Sequence, residues 1–198
     1  MSSPVLWIIG GVNGAGKSTL VKQHLEGKIV VVNPDTIARD RGVSNRSAGA
    51  LALELRRNHL AARHSFAVET TLTGMGEIRL MQQAASAGYE VNFVYVGLSC
   101  VELSAARVYQ RVVSGGHDVP VADIFRRYQR SLSNLPNAMA AATRIWIFDN
   151  SCKRRRLLLT CRRGSAGFTA GHLPTWLLTA AGKELEISLS NKAESSLP

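Results

Sequence analysis

Five short runs along the chain are apolar at consecutive positions, and longer stretches of mixed polarity separate them. Val5–Gly10, Ile29–Val32, Ser65–Val68, Val91–Val96 and Arg144–Phe148 span four to six residues each. Strands apolar on both faces suit a parallel sheet covered by helices, because a one-sided sheet alternates. Between the runs, helices are predicted over Gly16–Leu25, Arg46–Arg63, Gly76–Ala87, Cys100–Val113 and Val121–Leu135. In the last of these, Ile124, Tyr128, Leu132 and Leu135 fall on one stripe. Alternating strands and helices predict a doubly wound α/β fold, with a mostly parallel sheet of about five strands and helices on both faces.

After Asn150 the pattern changes. Arg156–Cys161 and Ala166–Ala170 flank Arg163-Gly164-Ser165 and read as a small C-terminal β-hairpin. Residues 1–151 are the expected core and 152–185 a basic hairpin/helix extension of the same domain. The polar residues 186–198 are expected to fray. At 198 residues one domain with a substantial core is expected. The longest apolar run, Val5–Ile9, is far short of the ~20 residues of a membrane span. Three widely spaced cysteines (Cys100, Cys152, Cys161) argue against a disulfide framework and suggest no zinc site, and no secretory leader is visible. A cytoplasmic location without membrane attachment is the expectation.

The net charge of +10 is unevenly spread: residues 151–198 hold 8 Lys/Arg against 3 Asp/Glu. Nucleic-acid binding is one reading of such a patch, and a solvated basic edge on an anion-binding protein is the favoured one. Trp7, Trp146 and Trp176 could stack on bases, but along the sequence none is interleaved with the arginines.

The first strand runs into GVNGAGKS, Gly11 to Ser18, which satisfies G-x-x-x-x-G-K-[ST]. Glycines let backbone N–H groups turn inward around phosphate oxygens, and the following helix aims its positive end at the same anion. Gly11, Asn13, Gly14, Ala15, Gly16, Lys17, Ser18 and Thr19 are the candidate nucleotide-binding residues. Lys17 would reach the β- and γ-phosphates and Ser18 would ligate Mg²⁺, so ATP and Mg²⁺ are the expected cofactors. No guanine-reading N-K-x-D occurs, and Asp35 and Asp149, each at a strand end, are not clean acidic pairs of the motor-ATPase type.

A kinase of a small molecule needs a base, cations over the transferred group and a cover that excludes water. Asp35, at the carboxyl end of the second strand, is the candidate base; a second role, compatible with the first, is N-cap of a short helix beginning at Thr36. Glu69, Thr70, Thr71 and Thr73 end the third strand and suit a hydroxyl-rich substrate or the water around Mg²⁺. Arg107 and Arg111 share a helix face and lead into Gly115-Gly116-His117, followed by Arg126, Arg127 and Arg130. Arginines flanking a glycine hinge suit a lid over about residues 107–127. His117 is read as a cap or hinge.

GVNGAGKST, NPD, FAVETTLTG, GGHDVP, RRYQRSLSNL and FDNS, in that order over about residues 5–151, resemble the zeta toxin family of P-loop kinases. The resemblance implies ATP- and Mg²⁺-dependent phosphorylation of a UDP-sugar such as UDP-N-acetylglucosamine, and an antitoxin protein as a possible partner. It matches Lys17 and Ser18 to the P-loop lysine and Mg²⁺ ligand, and Asp35 to the base. Glu54, Glu69 and Thr71 match positions that contact the sugar-nucleotide, and Arg111 matches the first lid arginine. The second lid arginine falls on Arg126 or Arg127, with Arg127 preferred. The basic segment after Ser151 replaces the substrate-binding elaboration of larger members. Kinases of a nucleotide, a nucleoside or an RNA end, and a non-catalytic ATP-binding regulatory module, remain alternatives.

Overall fold

A computed structural model describes residues 3–116 and 118–194. Among these, seven strands form one sheet: β1 (Val5–Gly11), β2 (Val30–Val32), β3 (Phe66–Glu69), β4 (Glu90–Gly97), β5 (Arg144–Asp149), β6 (Arg156–Arg162) and β7 (Ser165–Thr169). The helices are α1 (Lys17–His24), α2 (Pro34–Arg41), α3 (Asn45–Ala61), α4 (Gly76–Ser86), α5 (Val101–Val113), α6 (Val121–Ala140) and α7 (Thr175–Glu194). No helix among the described residues is long and apolar enough to cross a membrane.

Strand order is β2-β3-β1-β4-β5-β6-β7. The first five are parallel, with β1 at the centre between β3 and β4. The expected hairpin exists, but it is not an appendage. β6 pairs antiparallel with β5, and β7 with β6, so both extend the main sheet.

The sheet separates two apolar layers. On one face Leu6, Ile8, Phe66, Phe93, Tyr95 and Ile147 pack with Ala52 of α3, Met81 of α4, Leu135 of α6 and Leu177 of α7. On the other, Ile9, Val94 and Val96 pack with Leu20 and Val21 of α1. Burying side chains of this size stabilises by roughly 1.5–3 kcal/mol each. Leu158, Leu159, Trp176 and Leu177, all beyond residue 151, are inside the first layer, so the C-terminal segment completes the core.

Among the boundaries that depart from the sequence reading, three bear on the core or the cavity. Helix α6 continues past Pro136 to Ala140, because burial of Leu135, Ala138 and Met139 outweighs one lost backbone bond. Helix α7 runs to Glu194, with non-helical torsions at Ala181, where fraying from residue 186 is expected. Leu185 and Ser188 are buried, and Asn191 Nδ2 donates to Gly164 O in the β6–β7 turn at 3.1 Å, which holds this stretch on the sheet. The short helix predicted from Thr36 begins at Pro34.

Candidate active site

The parallel strands direct their carboxyl ends to one rim of the sheet, where open α/β folds bind ligands. There β1 passes into the Gly11–Ser18 loop and then α1. Two glycines show why this sequence permits the cradle. At Gly11 (φ 145°) a Cβ would overlap the Val96 carbonyl, and at Gly14 (φ 69°) it would press on Arg107 Cβ and Ser104 O, each at 3.0 Å. Side chains fix the loop from outside: Ser104 Oγ donates to Asn13 O at 2.7 Å, and Asn150 Nδ2 donates to Ala15 O at 2.9 Å.

Lys17 is buried and donates from Nζ to the carbonyls of Gly11 (2.8 Å) and Val12 (2.9 Å). Burial pulls its pKa down to about 8; Glu69 and Asp35 oppose that shift, and Arg111 adds to it. The ammonium therefore waits curled against the loop, with carboxylates and a guanidinium near enough to be felt.

Ser18 Oγ donates to Glu69 Oε1 at 2.7 Å, and Asn33 Nδ2 donates to Glu69 Oε2 at 2.9 Å. Glu69 ends β3, the immediate neighbour of β1, so register alone carries its carboxylate to the head of α1. An exposed serine hydroxyl beside a carboxylate is a hard-oxygen donor set, and it fits Mg²⁺, which takes one or two protein oxygens and completes its shell with phosphate and water. Among the described residues no group of three His, Cys, Asp or Glu converges as a metal site.

Asp35 is not the helix cap. Asn33 caps α2, its Oδ1 accepting from Asp35 N at 2.9 Å, and Pro34 occupies the first turn. This capping leaves the Asp35 carboxylate exposed on the wall of a cavity of about 370 Å³. That cavity is also lined by Lys17, Ser18, Glu69, Thr71, Arg107, Arg111 and Arg127, so α1, α2, β3, α5 and α6 all contribute to one site. Arg111 also borders an adjoining cavity with Gly115 and Gly116. The two candidate arginines of α6 are sorted by geometry: both pair with Asp123, Arg126 at 2.7 Å and Arg127 at 3.4 Å, but Arg127 lines the cavity and Arg126 does not. His117 lies outside the described residues.

Glu54 is not brought into the site. It is exposed and lines neither cavity. Helix α3 buries Ala48, Ala52 and Arg56 at four-residue spacing, which turns residue 54 to the opposite side. Arg56 stands in the wall instead, joined by Glu77 of α4. Neither was singled out in the sequence; an arginine in register with two buried alanines was the available signal. Thr70, also in the wall, caps the next turn, with Oγ1 accepting from Leu72 N at 2.9 Å.

Residues 6–135 match the AAA domain family, and the chain belongs to that family. A relative from Haemophilus influenzae, itself an uncharacterized protein, is 33% identical over 123 residues, 60% of this chain and 88% of its own length. Among solved structures, the chain is similar to one from the PezAT chromosomal toxin-antitoxin system of Streptococcus pneumoniae (TM-score 0.58, 17% identity, 98% of this chain and 88% of that one). It is also similar to AvrRxo1-ORF1:-ORF2 with ATP (TM-score 0.67, 17% identity, 83% of this chain and 60% of that one). The fold is therefore a doubly wound α/β P-loop fold with the glycine-rich cradle at the carboxyl end of β1, and it is shared with these two structures.

Proposed function

We propose that the protein is an ATP- and Mg²⁺-dependent phosphotransferase that phosphorylates a hydroxyl of a small substrate, with a UDP-sugar such as UDP-N-acetylglucosamine as the leading acceptor. The observation that carries this reading is the convergence of Asp35, Lys17, Arg111 and Arg127 on one cavity beside the phosphate cradle. A hydrolytic switch has no need of a carboxylate base and a wall of hydroxyls next to the γ-phosphate position.

The backbone of Gly11–Thr19 holds the ATP phosphates, and Lys17 swings from its two carbonyl partners onto them. Ser18 would hold Mg²⁺, with Glu69 steering the water around it, and the ion would supply charge neutralisation at the phosphates. Asp35 accepts the acceptor's hydroxyl proton. Arg111 and Arg127 stabilise the oxygens of the transferring group from the lid side. Phosphoryl transfer passes through a loose transition state, so placement of these charges matters more than the basicity of Asp35. Glu69 takes the role of Mg²⁺ positioning rather than sugar contact, because both its oxygens are committed to Ser18 and Asn33; Thr71 remains in the acceptor wall. The PezAT likeness supports a protein antitoxin as a partner.

A specific observation favours a nucleic-acid end as the second acceptor class. Cross-strand register brings Trp7, Asn92, Arg144 and Arg162 into one row on the sheet face that carries Trp146. Trp7 and Trp146 stack there at 5.6 Å, and indoles beside arginines suit unpaired bases and phosphates. Transfer of γ-³²P from ATP into UDP-sugars, nucleotides and 5′-hydroxyl RNAs, with Asp35→Asn as control, tests the reading. Label in UDP-N-acetylglucosamine that disappears in the variant supports it. Label only in RNA, weakened by Arg144→Glu and Arg162→Glu, moves the assignment to the second class. No transfer with any acceptor, alongside stable ATP binding, points to a regulatory nucleotide-binding module.

A further inference from the structure

The cavity is divided by charge. Lys17, Arg107, Arg111 and Arg127 come from α1, α5 and α6, whereas the lining from β3, α3 and α4 contains one cation, Arg56. Arg56 is already compensated: its Nη1 donates to Glu77 Oε1 at 3.1 Å, with the two side chains only 9% and 16% exposed. Asp35 and Glu69 line the same cavity, so the lining around Arg56 has no uncompensated positive charge to offer a second anion.

Breaking so buried an ion pair is costly, and keeping it in a cavity wall rarely adds stability over apolar residues. Its Nε is buried without a hydrogen-bond partner among the described residues, an added penalty. What the pair supplies is chemistry: guanidinium N–H donors and the second carboxylate oxygen of Glu77, side by side, in a cavity also lined by Thr70 and Thr71. Each sugar hydroxyl both donates and accepts, so two neighbouring hydroxyls can bridge a guanidinium and a carboxylate at once, whereas a phosphate can use only the guanidinium.

We propose that Arg56 and Glu77 form a subsite for an uncharged, polyhydroxylated part of the acceptor, gripping adjacent ring hydroxyls and so selecting sugar-like acceptors over those with an anion at this point. This rests on the kinase reading and adds to it the chemical class of the acceptor's bound portion. The pair positions the acceptor and takes no part in proton or phosphoryl transfer. A charged hydrogen bond that must stay buried discriminates strongly against a ligand lacking its partner, by about 10- to 100-fold.

The test is a cycle between protein and ligand. Affinities of UDP-N-acetylglucosamine and of analogues each lacking one sugar hydroxyl are measured by calorimetry on the full chain, loaded with Mg²⁺ and a non-hydrolysable ATP analogue. Wild type, Glu77→Gln and Arg56→Lys are compared, conservative variants whose melting temperatures show whether each is folded. At least one deoxy analogue is expected to lose about tenfold or more on wild type, and that loss is expected to shrink to under about threefold in Glu77→Gln. An undiminished deoxy penalty in both variants, or no binding of the parent UDP-sugar to wild type, overturns the subsite. Phosphate transfer measured in parallel separates the two claims: the expected cycle without transfer retains the subsite and overturns the kinase reading, and transfer with an unchanged cycle does the reverse.

Discussion

Ser18 Oγ and Glu69 Oε1 lie 2.7 Å apart, a hydrogen bond between the first turn of α1 and the end of the neighbouring strand β3. The second Glu69 oxygen is held by Asn33, the residue that caps α2. One carboxylate thus connects the phosphate cradle, the central sheet and the helix that carries Asp35. Any change in the placement of Glu69 reaches all three.

Glu69→Gln is therefore expected to keep the fold but lose the charge that steers Mg²⁺. Transfer should fall by about 10- to 100-fold, as for outer-shell metal partners generally, and the Mg²⁺ concentration giving half-maximal rate should rise. ATP binding in EDTA should stay close to wild type; a loss there of equal size would assign Glu69 to the cradle itself.

Asp35→Asn separates binding from chemistry. Asn33, not Asp35, caps α2, so the variant should melt with the wild type and bind ATP normally while transfer falls by about 100- to 10,000-fold. Wild-type transfer by Asp35→Asn would remove the base assignment.

Lys17 gives the site a pH dependence of definite sign. With its pKa drawn down to about 8 by burial, the empty site loses the ammonium as pH rises from 7 to 9. ATP affinity, measured by calorimetry across that range, should weaken, and Lys17→Met should bind weakly at every pH with no inflection. The unfolded chain binds more protons between pH 8 and the ordinary lysine range, so this group's contribution to the stability of the nucleotide-free protein rises with pH there. Affinity and stability are thus expected to move in opposite directions.

The two neighbouring arginines of α6 should behave differently. Arg127→Ala is expected to lower kcat on the order of 100-fold or more, the loss typical of a group aimed at developing charge. Arg126→Ala, which alters an exposed pair with Asp123, should leave kcat within about threefold of wild type, in line with the small worth of surface ion pairs. Equal losses in steady-state kinetics would argue against a lid role for Arg127 alone.

Asn150 is expected to act through the backbone. Its amide holds Ala15 O and stands 3.0 Å from where a Gly16 Cβ would be. Asn150→Ala should cost about 1 kcal/mol of stability and raise the KM for ATP. Thermal melts with and without ATP check this: the variant should gain less from the nucleotide than wild type does.

The sequence by itself determined the parallel α/β sheet, the glycine-rich cradle and the place of Lys17, Ser18, Asp35 and Glu69 beside it. Each depends on local rules: apolar runs, glycine backbone freedom and the position of a residue at a strand's end. It could not determine which distant side chains share a wall. Glu54 looked eligible until the buried face of α3 turned it outward and brought Arg56 in. Arg126 and Arg127 differ by one residue, and only the rotation of α6 against the cavity separates them. The basic C-terminal segment read as an extension because the pairing of β6 with β5 is a long-range fact. Register alone set Trp7 and Trp146 on one face with arginines that the sequence keeps apart. Periodicity fixes what each element can bury; which neighbour it buries that face against is decided by the competition of all elements for one core, and the walls of the cavity are set there.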